Sequence, residues 1–371
     1  MRDRSHRAFS LLELLIVTTV VLLLVGISLT GLQAARESAR RLSCAANLRE
    51  LGLGLHHYHQ ARGVLPPFCG GPDSTATQVW GSPPQPKPYP RPGIGLASGF
   101  VMLLPFIGEP TLFDAIRAAG WPFACSALYW SAEIPLLKCP SDPSPRSHNY
   151  LFSIGDRHRG FWPSSQLPAA DDASFQSRLR GLFGLQSRVR LQSVVDGLSN
   201  TIAMSECVRP RSLGRAVPST ETVRGVRYYG PGEAVVNDRF AASFSDQSPA
   251  ACLASFADGG FRPDTTLFVM NYSPGWLWSF GRPSNVGFST VLAPNAPRCG
   301  DMETQGSLTP QSLHPGGVFG LMADGAVRFI TDDIDAGDPS LPDRQTGPSP
   351  YGVWGALGSR AGAEVARLPL P

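Results

Sequence analysis

The sequence predicts an α+β protein: a long N-terminal transmembrane and spine α-helix packed on a mainly antiparallel β-sheet head with long loops. Three observations carry this. Phe9 to Leu32 is apolar almost throughout and holds one charge, Glu13; at about 1.5 Å per residue such a helix crosses the roughly 30 Å core of a bilayer. Apolar residues then go on recurring at spacings of three and four to about residue 60, the period of a helix with one buried face. Beyond that point short apolar runs alternate with Gly (39 in the chain) and Pro (35), and only 16% of residues are charged, which suits a loop-rich β head better than a helical bundle.

Taken in order, residues 1–8 (MRDRSHRA) form a short leader with Arg2, Arg4 and Arg7. Residues 9–62 form the membrane and spine helix. Past the membrane Leu32, Ala35, Ala39, Leu42 and Ala46 define a stripe that Leu48, Leu51, Leu55 and Tyr58 continue, while Arg36, Glu37, Arg40, Arg41, Arg49 and Glu50 take the other faces. Gly26, Gly31, Gly52 and Gly54 each weaken the helix by about 1 kcal/mol against Ala, so bends are expected there. The helix should end by Gly63, ahead of Pro66-Pro67. His56, His57 and His59 crowd its last turn, where capping of carbonyls and packing on the head is the expected role rather than metal ligation.

Residues 63–98 form a Pro/Gly-rich loop, and 99–334 the β-rich head with an inserted region, 210–300. Within the head, Thr111 to Arg117 predicts a short helix capped by Thr111 or the turn before it. Lys138-Cys-Pro-Ser-Asp-Pro predicts a tight turn; Ser147-His-Asn-Tyr and Gly181-Leu-Phe-Gly predict strand entries. An Asp196-Gly197 turn leads into a strand, Thr201 to Glu206. Val318 to Ile330 is the clearest hairpin, with Asp324-Gly325 expected as a two-residue type I′ turn. Residues 335–371 hold a loop, one short helix after Tyr351 and a tail.

Net charge is +3, Lys occurs only at Lys87 and Lys138, and the arginines form no concentrated patch, so no nucleic-acid partner is expected. Seven cysteines include no Cys-x-x-Cys pair, so neither zinc nor any other cofactor is expected from spacing. Cys44 falls on the outer half of the helix and Cys139 in a rigid turn able to lie against it. A Cys44–Cys139 disulfide is therefore expected, with Cys252–Cys299 as a second candidate. Arg36, Arg40 and Arg41 follow the span as closely as the leader arginines precede it, so counting basic residues does not orient the chain.

A carboxylate near one end of an apolar span is expensive and calls for a partner cation. The short basic leader, the small Ala8, Phe9 and then Glu13 resemble the N-terminal segment of type IV prepilins and pseudopilins. That resemblance implies cleavage between Ala8 and Phe9 by a prepilin peptidase on the cytoplasmic face, N-methylation of Phe9, and pairing of Glu13 with the amino terminus of a neighbouring subunit. The family usually has Gly where this chain has Ala8, which implies slower processing. It also implies a single-pass inner-membrane protein with a cytoplasmic N-terminus and an extracytoplasmic head. Later segments, among them LLKCPSDP, VVDGLSNTIAMSE and SLHPGGVFGLMADGAVRFI, resemble a bacterial pseudopilin-like family whose head is catalogued as domain of unknown function 1559. Its C-terminal His-x9-Asp-Gly motif is here His314, Asp324 and Gly325.

The function implied is a non-enzymatic structural component of a type II secretion or type IV pilus-like assembly, with other pseudopilin subunits as partners. A second reading is a surface module that binds glycan or polymer through exposed aromatics such as Trp276 and Trp278. A third is an envelope hydrolase using His314 with Ser312; the sequence offers it no nucleophile elbow and no phosphate loop. Asp332, Asp333, Asp335 and Asp338 invite a calcium reading, although their spacing misses the EF-hand pattern.

Overall fold

The computed structural model describes residues 11–70, 97–119, 132–143, 148–160, 179–208, 222–223, 226–227, 248–257, 260–261, 274–275, 277–300 and 305–364. Ala8, Phe9, Cys125 and Trp276 lie outside them. The first element, α1 (Leu11–Arg62), is one uninterrupted helix of 52 residues, about 78 Å long at 1.5 Å per residue. Gly63 ends it: at φ +74° it takes the left-handed conformation, and its N–H donates to His59 O at 2.7 Å.

One helix lives in two environments. Its N-terminal part has a mean hydropathy of 2.6 over 18 residues, and the head buries none of that window. Leu11, Leu12, Leu22 and Ile27 are all exposed. The few hydroxyls here fold back on the helix: Thr18 and Thr19 donate to Leu15 O, and Ser28 to Leu24 O. Such back-bonding removes donors that hydrocarbon cannot satisfy. One helix long and apolar enough to span a membrane, near the N-terminus, is consistent with single-pass anchoring.

From Cys44 onward the helix is the wall of a core. Cys44, Leu48, Leu51 and Leu55 are buried, and Tyr58 meets Phe106 edge to face at 5.4 Å. Leu42, expected on the buried stripe, is instead 74% exposed, and Leu32 is exposed as well. The head-facing line runs Glu37, Arg41, Cys44, Leu48, Leu51, Leu55, at spacings of four and three; its upper end is polar, so apolar periodicity does not reveal it. Gly52 and Gly54 are sites of close approach in an unbroken helix. A Cβ on Gly52 would lie 2.9 Å from Leu321 Cδ1, and one on Gly54 would lie 2.6 Å from Ile107 Cγ2.

The head is built on a five-stranded sheet: β1 (Tyr150–Gly155), β2 (Ile202–Glu206), β3 (Gly287–Ser289), β4 (Gly317–Met322) and β5 (Val327–Thr331), in the order β5-β4-β2-β1-β3. All neighbours are antiparallel except β1 and β3, which run parallel with Phe152 beside Gly287. Thus 287–289, inside the stretch expected to be an insertion, supplies an edge of the main sheet. Both faces of the sheet are covered, which is why β1 and β2 are buried along their whole length. Tyr150, Phe152, Met204 and Leu321 pack with the α1 leucines. Leu151, Ile202, Val318 and Ile330 pack with Trp354 and Leu357 of the C-terminal helix Gly352–Gly358.

One local expectation changes, and one open choice is resolved. The β4–β5 connection is not a type I′ turn, because among non-Gly residues Asp324 is absent from the positive-φ set while Gly325 has φ +89°. Gly325 N donates to Met322 O and Met322 N to Ala326 O, so the loop is a three-residue turn closed by a left-handed glycine. The helix near Thr111 is Pro110–Ala118 with Glu109 at the N-cap position; Pro110 at the first helical position needs no N–H donor there.

Candidate functional site

The spine meets the head at a buried polar joint assembled from four separated segments. Glu37 and Cys44 come from α1, Cys139 from the Lys138–Pro143 turn, Glu206 from the end of β2, and His314 from the loop entering β4. Cys44 and Cys139 form a disulfide with Cα atoms 5.1 Å apart, closing a separation of 95 residues. Cys252 and Cys299 form a second, 5.7 Å between Cα atoms.

Local hydrogen bonds fix each part. Asn149 organises the cysteine turn: its Oδ1 accepts from Cys139 N at 2.9 Å, and its Nδ2 donates to Asp142 Oδ2 at 2.6 Å and to Cys207 O at 3.0 Å. Asn47 Nδ2 of α1 donates to Lys138 O at 2.8 Å, and Tyr150 OH donates to Cys44 O at 3.2 Å. The LLKCPSDP segment and residues 148–152 are therefore one unit docked on the helix.

His314 is fully buried between two carboxylates. Its Nδ1 lies 2.9 Å from Glu37 Oε1, and its Nε2 lies 3.3 Å from Glu206 Oε1 and 3.7 Å from Cys139 Sγ. Burial works against a charged imidazole, but Glu206 and then Glu37 outweigh it, and the pKa rises above the ordinary 6.5. Glu206 Oε2 accepts from Phe319 N at 2.8 Å, so that carboxylate is held by the strand it faces. The ring meets Phe319 edge to face at 5.4 Å, Phe319 meets Phe329 at 5.1 Å, and the Arg41 guanidinium of α1 sits 4.3 Å over Phe329.

The other end of the motif also docks on α1. Asp324 Oδ1 accepts from Ala326 N at 2.9 Å and shapes the turn, and Gly325 Cα lies 3.6 Å from where a Gly52 Cβ would be. The His-x9-Asp-Gly motif therefore touches the helix near Glu37 and near Gly52, fifteen positions or roughly 22 Å apart along its axis. The motif sets how β4 lies along the spine.

The remaining candidates fall elsewhere. Glu13 lies on the exposed apolar part of α1, far along the chain from the joint. Ser312 is buried and its Oγ accepts from His314 N at 3.2 Å. Trp278 is buried in the core and offers no exposed ring for a glycan. Asp335 accepts from Gly337 N and Asp338 from Ser340 N, each shaping a local turn, while Asp332 accepts from Asn295 Nδ2, 37 positions away. His59 Nε2 accepts from Leu191 N at 3.3 Å, tying the helix end to the head. Glu37 and Glu206 were not singled out from the sequence. The available signals were the seven- and four-residue spacing of Glu37, Cys44 and Leu48, and a carboxylate continuing a buried strand.

No curated protein and no solved structure matches this chain. A family model described as a protein of unknown function (DUF1559) matches residues 33–337, from the C-terminal part of α1 through β5 and the turn beyond it. The apolar helix ahead of that match and the head within it are compatible with a pilin-like envelope protein. A match over most of the length, including the motif that sets β4 on the spine, makes this chain a member of the DUF1559 family.

Proposed function

We propose that this protein is a membrane-anchored, pseudopilin-like structural subunit of a type II secretion or type IV pilus-like assembly. One observation carries the reading: a single helix supplies both an apolar half that the head leaves bare and a half built into the head's core. Lateral association of the bare halves in the bilayer stacks subunits. Glu13, the one charge among the described residues of that span, pairs with the N-methylated amine of a neighbour's Phe9 and fixes the stagger. The N-terminus is cytoplasmic and the head extracytoplasmic, a side on which disulfides persist.

Glu13→Val tests this in cells that express the neighbouring subunits. Membrane insertion should persist, since the span becomes more apolar, while co-purification with partner subunits falls. Unchanged co-purification overturns the pairing. For the polymer-binding reading, Trp278 is internal, while Trp276 lies outside the described residues.

A further inference from the structure

We propose that the reduced form of the spine–head joint is a zinc site, with Cys44 Sγ, Cys139 Sγ, His314 Nε2 and Glu206 Oε1 as its four ligands. These donor atoms all lie within 4.8 Å of one another, and all four residues are buried. Two thiolates, an imidazole and one carboxylate suit Zn²⁺, whereas the sulfurs disfavour calcium and magnesium.

The geometry is nearly set. Ligands at 2.0–2.3 Å around a tetrahedral zinc are separated by about 3.3–3.8 Å. His314 Nε2 already stands 3.3 Å from Glu206 Oε1 and 3.7 Å from Cys139 Sγ. The two bonded sulfurs must part to a tetrahedral edge, and the remaining donor pairs, all within 4.8 Å, must close to it.

An outer shell of the right kind is also present. Glu37 Oε1 on His314 Nδ1, at 2.9 Å, directs the opposite nitrogen at the site, the carboxylate–histidine arrangement common behind zinc. Phe319 N holds Glu206 Oε2 at 2.8 Å and so aims Oε1 inward. Cys139 N and Cys44 O are each anchored, by Asn149 and Tyr150. A disulfide alone gives no reason for burying an imidazole and a carboxylate against its sulfurs, since desolvating both is costly. The ligands come from four segments, so no Cys-x-x-Cys spacing announces them.

The chemistry balances without redox change at the metal. A phosphine reductant delivers two electrons to the disulfide and takes an oxygen atom from water, whose two protons complete the two thiols. Zinc then displaces both thiol protons. Disulfide and metal are alternative ties across the same joint.

The test uses the full chain in detergent, with Co²⁺ as a spectroscopic stand-in. After phosphine reduction, one Co²⁺ per chain should bind with thiolate-to-cobalt charge-transfer absorption and be displaced by Zn²⁺; the oxidised chain should show no such absorption. Glu37→Ala should weaken binding about 10–100-fold. Alkylation of the reduced wild type, with metal and then with chelator, should map metal-dependent protection to Cys44 and Cys139. Absence of the charge-transfer band in the reduced wild type, or protection mapping to Cys69, Cys125 or Cys207 instead, overturns the proposal.

Discussion

His314 and Glu37, 277 positions apart in the chain, are held 2.9 Å apart, imidazole Nδ1 to carboxylate Oε1, at the point where the spine enters the head. The contact joins the C-terminal motif to the helix and should be energetically coupled. In a double-mutant cycle of Glu37→Gln and His314→Gln on the oxidised chain, the coupling energy should be about 0.5–3 kcal/mol, read by denaturant unfolding of the head. Strict additivity would show that the contact contributes nothing.

The Cys44–Cys139 bond closes a separation of 95 residues. In the chain-entropy model such a loop stabilises by up to about 4–5 kcal/mol, and commonly by less. Cys44→Ser with Cys139→Ser, assayed without added metal, should lower the melting temperature of the head clearly. The equivalent change at Cys252 and Cys299 closes only 47 residues and should lower it less. The reverse ranking would contradict the loop-length argument.

Glycines in α1 should respond oppositely according to place. Gly54→Ala gains roughly 1 kcal/mol of helix propensity but drives a methyl to 2.6 Å from Ile107 Cγ2, so a net loss of about 1–3 kcal/mol is expected. Gly26→Ala meets nothing within 4 Å and should leave head stability unchanged. Thermal melts of the two variants decide this, and a stabilised Gly54→Ala would refute the packing role.

Cys207 is buried, and burial pushes its thiol well above the ordinary range. A neutral thiol is a poor nucleophile, so iodoacetamide should label Cys207 slowly in the folded chain from pH 7 to pH 9 and rapidly after denaturation. Labelling that climbs steeply with pH in the native state would mean the thiolate forms there.

Processing is tested by mass. The mature chain isolated from membranes in the presence of prepilin peptidase should begin at N-methylated Phe9. Recovery of Met1 to Arg7 on that mature chain would rule the cleavage out.

The sequence by itself determined the long helix, its apolar half long enough to span a membrane, the Asp324-Gly325 hairpin and the strand ending at Glu206. Each rests on local chemistry: hydrophobic length, periodicity, and a glycine where positive φ is needed. It also pointed to the Cys44–Cys139 pairing, because a rigid turn and a helix face are local features that restrict partners, and offered Cys252–Cys299 as a weaker candidate bridging the inserted region. What only the tertiary structure decided is which face of the helix meets the head, and therefore what Glu37 and Glu206 do. Periodicity counts apolar residues, and it placed Leu42 on the buried stripe; the true line opens with the half-buried Glu37 and Arg41, which meet His314, Ser141 and Phe329 from distant segments. A charge set against the head is legible through its partners, and those partners become neighbours only when the chain has folded.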